Sequence, residues 1–574
     1  MTLPFILIVI IGSLLFLPFL GSVHLFDWDE INFAESAREM IVTGNYSAVQ
    51  INFEPFWEKP PLFFWFQVLS MKLFGVNEFA ARFPDAICGI ITLCFIYYIG
   101  KRQYKGNLAA WWVLCYLGSI LPHFYFKSGI IDPIFNLFIF AAIYQFYLAA
   151  KQDIVVVSVM RYFFLAGIFT GLAILTKGPV ALIICLLTLF IFVAVKRFTW
   201  FFRFKHLLVY GLIALFITSF WFVPETIKNG PWFLVEFVKY QAGLFTSNIA
   251  GHQQPFWYHT AVLLVGCFPI SFIALAAIKK NNYYSYQENL FRTLMIVLFF
   301  VVLILFSIVK TKIVHYSSMC WLPLTFLAAY AIASVQKKRL KFSAVLSTCI
   351  LVFGIILSTV LIAIPVIFSN KKLKDLALAN IKDRFTVANF SINTGWTGFE
   401  AIPGILLLAV VCTGFYFLIR KQHSKGFYIL LTGITLIIPL IAIMVVPKIE
   451  KHTQGTAISF FESLKGKNCY IFHTGYKSYA PYFYAQIKPL TANDSLFHKR
   501  AQFLNQLGVK KFTDLSQERY RDYDDFEKDW LLNGNIDKPA YFIAKSHDQE
   551  GLEKQTGLIM LWEKGGFTAY KRMP

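Results

Sequence analysis

Apolar and polar positions along this chain separate into long blocks rather than alternating. Runs of roughly 17 to 25 apolar residues, the length that crosses a bilayer as one helix, recur from the N-terminus to about residue 446. Hydropathy predicts about thirteen spans, near 3–22, 83–99, 107–125, 130–150, 161–176, 179–195, 207–224, 258–278, 291–309, 317–334, 343–368, 401–419 and 427–446. The expected fold class is therefore an α-helical polytopic membrane protein.

The intervals between the blocks carry the remaining structure. In the first, from about 23 to 82, Ile31, Ala34, Ala37 and Ile41 recur at helical spacing opposite Glu35, Arg38 and Glu39, which predicts an amphipathic helix lying at the membrane interface. Gly44-Asn45 should end it. The stretch from Pro60 to Phe74 reads as a second interfacial helix, because Pro60 and Pro61 suit a first helical turn. Two further intervals, about 225–257 and 369–400, are polar, and the second carries Asn389, Asn393 and Trp396 without a recognisable motif.

After residue 446 the long apolar runs stop. Cys469–His473 and Ala540–Ala544 read as short buried strands, Tyr476–Ala485 and Phe503–Leu507 as helices, and Gly557–Arg572 as a hairpin turning at Gly565-Gly566. The expectation is a transmembrane domain over 1–446 and a small α/β domain over 447–574. Gly475 stands alone, so nothing in the tail reads as a nucleotide-binding glycine loop.

Composition agrees with the pattern: 57% of the 574 residues are hydrophobic and 15% charged. The net charge of +21 is concentrated in short loops. Lys101, Arg102 and Lys105, then Lys196, Arg197, Arg203 and Lys205, then Lys279 and Lys280, then Lys337 to Lys341, then Arg420, Lys421 and Lys425 fall on one side if the spans alternate. That side is expected to be cytoplasmic, which places the 23–82 loop and the tail outside. Topology explains the basic excess, and nucleic acid is not an expected partner. The first apolar stretch lacks a basic start and a small-residue cleavage site, so an uncleaved first helix is expected. Of the nine cysteines only Cys469 falls in the tail, which can hold no internal disulfide.

The candidate chemistry lies in the first loop, where Asp27-Trp28-Asp29-Glu30 follows the first span and Glu58-Lys59-Pro60-Pro61 comes downstream. A carboxylate such as Asp29 beside a bilayer can act as a general base, taking a proton from an acceptor hydroxyl or amine as it attacks a sugar's anomeric carbon. A departing phosphate needs positive charge, and Lys59 and Arg82 are the candidates to supply it. Outside the cytoplasm an activated sugar arrives on a lipid phosphate, not on a nucleotide. Plainer readings stand beside these: Asp29 and Glu30 as helix caps, Lys59 as a snorkelling side chain, His252 and His315 as surface histidines, and Lys177, Lys310 and Lys312 as anchors of span ends. Asp27-x-Asp29 as the metal-binding pair of a nucleotide-sugar enzyme is a further alternative.

Asp29-Glu30-x-x-x-Ala34-Glu35-x-x-Arg38-Glu39-Met40 and Trp57-Glu58-Lys59-Pro60-Pro61-Leu62 resemble the aminoarabinose transferases of lipid A modification. The same pattern is shared more loosely by protein O-mannosyltransferases of the GT-C fold. Ala81-Arg82-Phe83-Pro84, Thr176-Lys177-Gly178-Pro179, His252-x-x-Pro255-Phe256-Trp257-Tyr258 and Phe306-Ser307-x-x-Lys310-Thr311-Lys312-x-x-His315-Tyr316 extend the resemblance over about residues 20–330. It departs at Asn32, where those enzymes carry a basic residue, and at Phe56, where they carry Tyr.

The resemblance implies a GT-C membrane glycosyltransferase that moves a sugar from a polyprenyl-phosphate donor to a lipid, glycan or protein acceptor on the outer face of the inner membrane. It assigns Asp29, with Glu30 beside it, to catalysis, and Lys59 and Arg82 to the donor phosphate. Glu58, His252, His315 and Tyr316 line the cavity, and a divalent metal held by Glu58 and His252 is left open; no other cofactor is implied. Inversion at the sugar follows from a single well-placed carboxylate. The rival expectation is a transporter or flippase of polyprenyl-linked sugars, for which Asp132-Pro133 inside the fourth span is the one supporting feature.

Overall fold

The computed structural model describes residues 3–56, 58–151, 156–197, 199, 201–246, 254–278, 285–509, 520–546 and 550–574. Among them, nine helices are long and apolar enough to cross a membrane: 78–103, 132–151, 159–176, 204–228, 286–308, 314–336, 344–369, 399–419 and 423–464. The other four predicted spans are shorter or broken. Leu3–Phe16 and Val180–Val195 are short helices. The third span divides into Leu108–Leu117 and Ile120–Tyr125, and the eighth into Tyr258–Gly266 and Ile270–Leu275. Pro122 and Pro269 stand just inside or before the second pieces, where a missing N–H costs least.

Burial sorts these helices into layers. The most apolar window of 314–336 is wholly buried, whereas those of 204–228 and 344–369 are only 22% buried. The first is the centre of the bundle and the other two turn aliphatic side chains to lipid, with Leu212, Leu215 and Phe216 exposed on one and Ile356 and Val360 on the other. Small residues set the closest approaches. A Cβ at Gly167 would stand 2.7 Å from the Tyr210 carbonyl oxygen, and one at Gly171 would stand 2.7 Å from Ile217 Cβ. The spacing of four puts both glycines on one face, so Val156–Thr176 packs backbone-close against Phe204–Asn229.

The last apolar helix, His423–Met444, continues through Val446–Glu450, a π-helical turn at Lys451–Gly455 and Thr456–Leu464. Beyond it lies a four-stranded sheet. With β1 (Gln50–Ile51) and β2 (Glu54–Pro55) forming a small hairpin in the first loop, the sheet strands are β3 (Tyr470–Thr474), β4 (Ala540–Lys545), β5 (Leu558–Lys564) and β6 (Phe567–Arg572). Their order is β3-β4-β6-β5, with β3 parallel to β4 and the other pairs antiparallel. Gly565 and Gly566, at φ of 59° and 74°, make the tight turn between β5 and β6 that the sequence anticipates. The helix expected over Tyr476–Ala485 is only Ala480–Tyr484, and that expected at Phe503–Leu507 is the end of Ser495–Gln506.

One expectation is corrected outright. Asp29–Thr43 is helical and ends at Gly44 in a left-handed conformation, but it is not an interfacial helix with a solvated polar face. Every residue from Glu30 to Met40 is buried. Its polar face is covered by the C-terminal region, where Arg38 donates to the Ile487 carbonyl at 2.9 Å while also pairing with Glu35 at 2.6 Å. The period of the pattern fixed the helix; it could not show that the opposite face would be claimed by chain more than four hundred residues away. Leu62–Phe74 keeps the anticipated character, with Leu69 and Leu73 exposed.

Candidate active site

The turn between the first helix and Asp29 is held by two cations that gather backbone carbonyls. Lys127 Nζ donates to the carbonyls of Leu15, Phe16 and Pro18, at 3.2, 3.1 and 2.8 Å. Arg82 donates through Nη1 to Leu20 and Val23 and through Nη2 to His24, at 2.9, 2.7 and 2.9 Å. Its remaining N–H groups meet Glu30, Nε to Oε1 at 3.0 Å and Nη2 to Oε2 at 2.8 Å. A guanidinium has five N–H donors, so all are used.

Glu30 is equally committed. Besides Arg82 it accepts from the backbone N–H of Phe26 at 2.8 Å and of Gly129 at 2.6 Å. Burial works to raise its carboxyl, and Arg82 with the backbone donors outweighs it, leaving the group below the usual carboxylate range. The Glu30 and Arg82 side chains both border the cavity described next, are 5% exposed or less, and have their hydrogen-bonding groups engaged within the protein. Neither Asp29 nor Glu30 caps the helix, whose N-cap Trp28 makes no side-chain cap bond. Asp27 instead accepts from the Tyr479 N–H at 3.3 Å.

Asp29 is left facing a cavity of about 960 Å³ that Glu58, Lys59, Asp132, Lys177, His315 and Tyr316 also line. Its carboxylate lies 3.5 Å from His315 Nε2, and its side chain is 34% exposed. The other ring nitrogen of His315 is bonded to the Tyr125 hydroxyl, which fixes the ring. Lys59 enters from the segment that follows the β1–β2 hairpin. Its ammonium is 3.8 Å from Glu58 Oε2 and 5.2 Å from the centre of the Tyr240 ring, and Tyr240 donates to the same carboxylate oxygen at 3.1 Å. Burial lowers the Lys59 pKa below that of a free lysine, against the pull of Glu58 and Asp29.

A second ion pair closes the cavity. Lys177, the residue after the helix Val156–Thr176, meets Asp132, the first residue of Asp132–Lys151, at 2.6 Å. The Lys177 ammonium lies 5.3 Å from the Tyr316 ring centre. In the sequence, Lys177 belongs to a motif of the resemblance and also suits a span-end anchor, and Asp132-Pro133 favours a transport pathway. Asp132 in fact begins its helix and faces the same cavity as Asp29, so the feature that favoured a transporter belongs to this site. The available signal was the pair of end motifs, Asp132-Pro133 and Lys177-Gly178-Pro179, each marking the end of a span.

The structure thus brings Asp29, Glu30, Glu58, Lys59, Arg82, His315 and Tyr316 to one cavity, and adds Asp132, Lys177, Tyr125 and Tyr240. His252 lies outside the described residues, as does Trp57. Among the described residues no group of three His, Cys, Asp or Glu side chains is arranged to hold a metal ion. Glu58 accepts from Tyr240 and His252 is not described, so the metal left open for Glu58 and His252 has no described ligand set.

The cavity is apolar over much of its wall, where Phe19, Leu20, Val23, Val180, Ile184 and Val446 contribute. Charged groups together with a largely apolar wall suit an amphipathic molecule with an anionic head.

Residues 58–223 match the family described as dolichyl-phosphate-mannose-protein mannosyltransferase. An undecaprenyl phosphate-alpha-4-amino-4-deoxy-L-arabinose arabinosyl transferase of Erwinia tasmaniensis is 27% identical over 59% of this chain and 61% of its own length. The enzyme of the same name from Shewanella sediminis is 30% identical over 57% of this chain and 59% of its own. The chain thus spans about three fifths of the length of these relatives. The crystal structure of ArnT from Cupriavidus metallidurans bound to undecaprenyl phosphate superimposes with a TM-score of 0.73 at 18% identity, covering 99% of this chain and 97% of that one. The apo form of that protein gives 0.74. The chain therefore has the GT-C fold of ArnT, and the resemblance read from the first-loop motifs is borne out. It is a polytopic membrane protein.

Proposed function

We propose that this protein is an inverting membrane glycosyltransferase that takes a hexose or pentose from a polyprenyl-phosphate donor and delivers it to a lipid, glycan or protein acceptor on the outer face of the cytoplasmic membrane. The observation that carries the proposal is the convergence of Asp29 and Lys59, thirty positions apart in the chain, on one cavity lined by both charged and apolar side chains. The relatives' names, with their undecaprenyl-phosphate-linked sugar, support the donor class.

The donor's isoprenoid runs along the apolar wall and its phosphate lies against Lys59. Lys59 is the phosphate ligand because its own carboxylate partner stands off at 3.8 Å, whereas Lys177 is in close contact with Asp132. Lys177 adds its field from the far side of Tyr316. Asp29 takes the proton of the acceptor's attacking hydroxyl or amine, and His315, held by Tyr125, fixes the orientation of that carboxylate. The acceptor oxygen or nitrogen bonds to the anomeric carbon as the bond from that carbon to the phosphate oxygen breaks, and the polyprenyl phosphate leaves with the electron pair, stabilised by Lys59. Charge is supplied by groups already in place, so little reorganisation accompanies the step.

The test is transfer of a radiolabelled sugar from polyprenyl phosphate in membranes carrying the wild type or Asp29→Asn, with mass spectrometry of lipid A, glycoproteins and surface glycans to name the acceptor. Transfer should fall by about a thousandfold in the variant while donor binding persists. Full activity in Asp29→Asn removes the base. Movement of intact donor across the bilayer without a new glycosidic bond replaces the proposal by the transporter.

A further inference from the structure

Lys59 reaches the cavity on a segment with little structure of its own: a two-residue hairpin, then Phe56 and the Glu58-Lys59 turn. What fixes that segment is contact from both flanks. On one flank Glu39 accepts from the Phe53 N–H at 2.7 Å and Arg38 lies 5.8 Å from the Phe53 ring centre. On the other flank Glu54, in β2, is gripped by the C-terminal region.

Arg500, on the helix Ser495–Gln506, stands 3.0 Å from Glu54 Oε1, and Tyr523, on the helix Tyr520–Asn533, donates to the same oxygen at 2.7 Å. Glu527 on that second helix receives Arg500 at 2.6 Å, which aims the guanidinium at the hairpin. Four residues lie between Glu54 and Lys59. In an otherwise irregular segment, a charged clamp at one end limits the positions open to the ammonium at the other.

We propose that Arg500 is a positioning residue, through which the C-terminal domain holds Glu54 and thereby places Lys59 for the donor phosphate. The inference rests on the proposed glycosyltransferase reading and gives the C-terminal domain a role in it. Arg500 is not a cavity-lining group, so it acts through the hairpin and not on the lipid itself. An arginine suits the task because its planar fork meets Glu54 and Glu527 together, which a lysine ammonium cannot do with the same rigidity.

The experiment uses the full chain in nanodiscs at pH 8, with undecaprenyl phosphate as the probe. Arg500→Ala should weaken its binding about tenfold while turnover at saturating donor changes less than about twofold, the signature of a misplaced binding group. Arg500→Lys should fall between. Glu54→Gln should weaken binding similarly, and the double variant should bind no worse than the weaker single one, because both changes break one link. Hydrogen exchange over residues 50–59 should quicken in each. Wild-type binding by a folded Arg500→Ala overturns the inference, as do additive losses in the double variant, which mark a general loosening. Lys59→Ala is the control for the reading underneath: if it binds undecaprenyl phosphate normally, the phosphate assignment fails whatever Arg500 does. If Lys59→Ala loses binding and Arg500→Ala keeps it, only the positioning role is lost.

Discussion

Arg82 and Glu30 meet fork to fork, at 3.0 and 2.8 Å, across fifty-two residues of sequence, and the same guanidinium also collects the carbonyls of Leu20, Val23 and His24, which precede Glu30. The pair ties the start of the second predicted span to the start of the helix that carries Asp29. It therefore sets where Asp29 stands before any substrate arrives.

Removing one partner strands a buried charge. Arg82→Ala should destabilise the protein by about 3 kcal/mol, seen as a lowered melting temperature in detergent with a proportionate fall in folded yield. A variant that melts like the wild type but no longer binds polyprenyl phosphate would return Arg82 to the donor site.

Lys59 should govern the alkaline side of donor binding. Its pKa is lowered by burial, so the cation is lost, as pH rises, earlier than in a free lysine. Affinity for a polyprenyl phosphate should fall on that side, and Lys59→Arg, which stays charged, should abolish the fall while weakening affinity through changed geometry. Titration of binding against pH for the two proteins checks it. An alkaline limb that persists unchanged in Lys59→Arg assigns it to another group.

His315 is placed to orient Asp29, and Tyr125 to orient His315. His315→Ala should lower transfer by about a hundredfold and Tyr125→Phe by about tenfold, with donor affinity unchanged in both. Steady-state kinetics at saturating donor measure the difference. Equal losses in the two variants would mean that the tyrosine acts directly on substrate.

Glu54 links stability to pH. Burial raises its carboxyl from 4.5 to about 7, against the pull of Arg500. The folded protein thus holds a proton that the unfolded chain has released, and the stability from this group is complete below 4.5 and lost as pH rises through about 7. Melting temperatures between pH 4 and 8, about the range over which carboxylates and histidines titrate, should decline less steeply for Glu54→Gln than for the wild type. Parallel curves would show that Glu54 does not carry the dependence.

Much of the architecture was legible in the chain because a bilayer admits few solutions. Every backbone group inside hydrocarbon must be bonded within its own segment, so apolar length alone implies a helix, and each of the predicted spans falls on helical structure. Gly44 and Gly565-Gly566 were legible for a similar reason: each needs a positive φ that most residues resist. The Asp29 and Glu58-Lys59 motifs could be singled out because carboxylates and an amine are rare so close to long apolar runs.

What the residues do to one another was settled by tertiary structure. Glu30 sits next to Asp29 in sequence and is as acidic, yet packing turns one into a saturated anion under Arg82 and leaves the other open to a cavity beside His315. Arg82 and Lys59 look alike as charges, but only after folding do carbonyls of the first loop exhaust the first and leave the second a carboxylate standing off at 3.8 Å. Asp132 and Lys177 likewise meet only because two helices end at the same depth. Sequence sets the period, length and chemistry of each segment, which are local properties. The partner of a buried charge is fixed by which distant backbone approaches it, and that is decided when the helices pack.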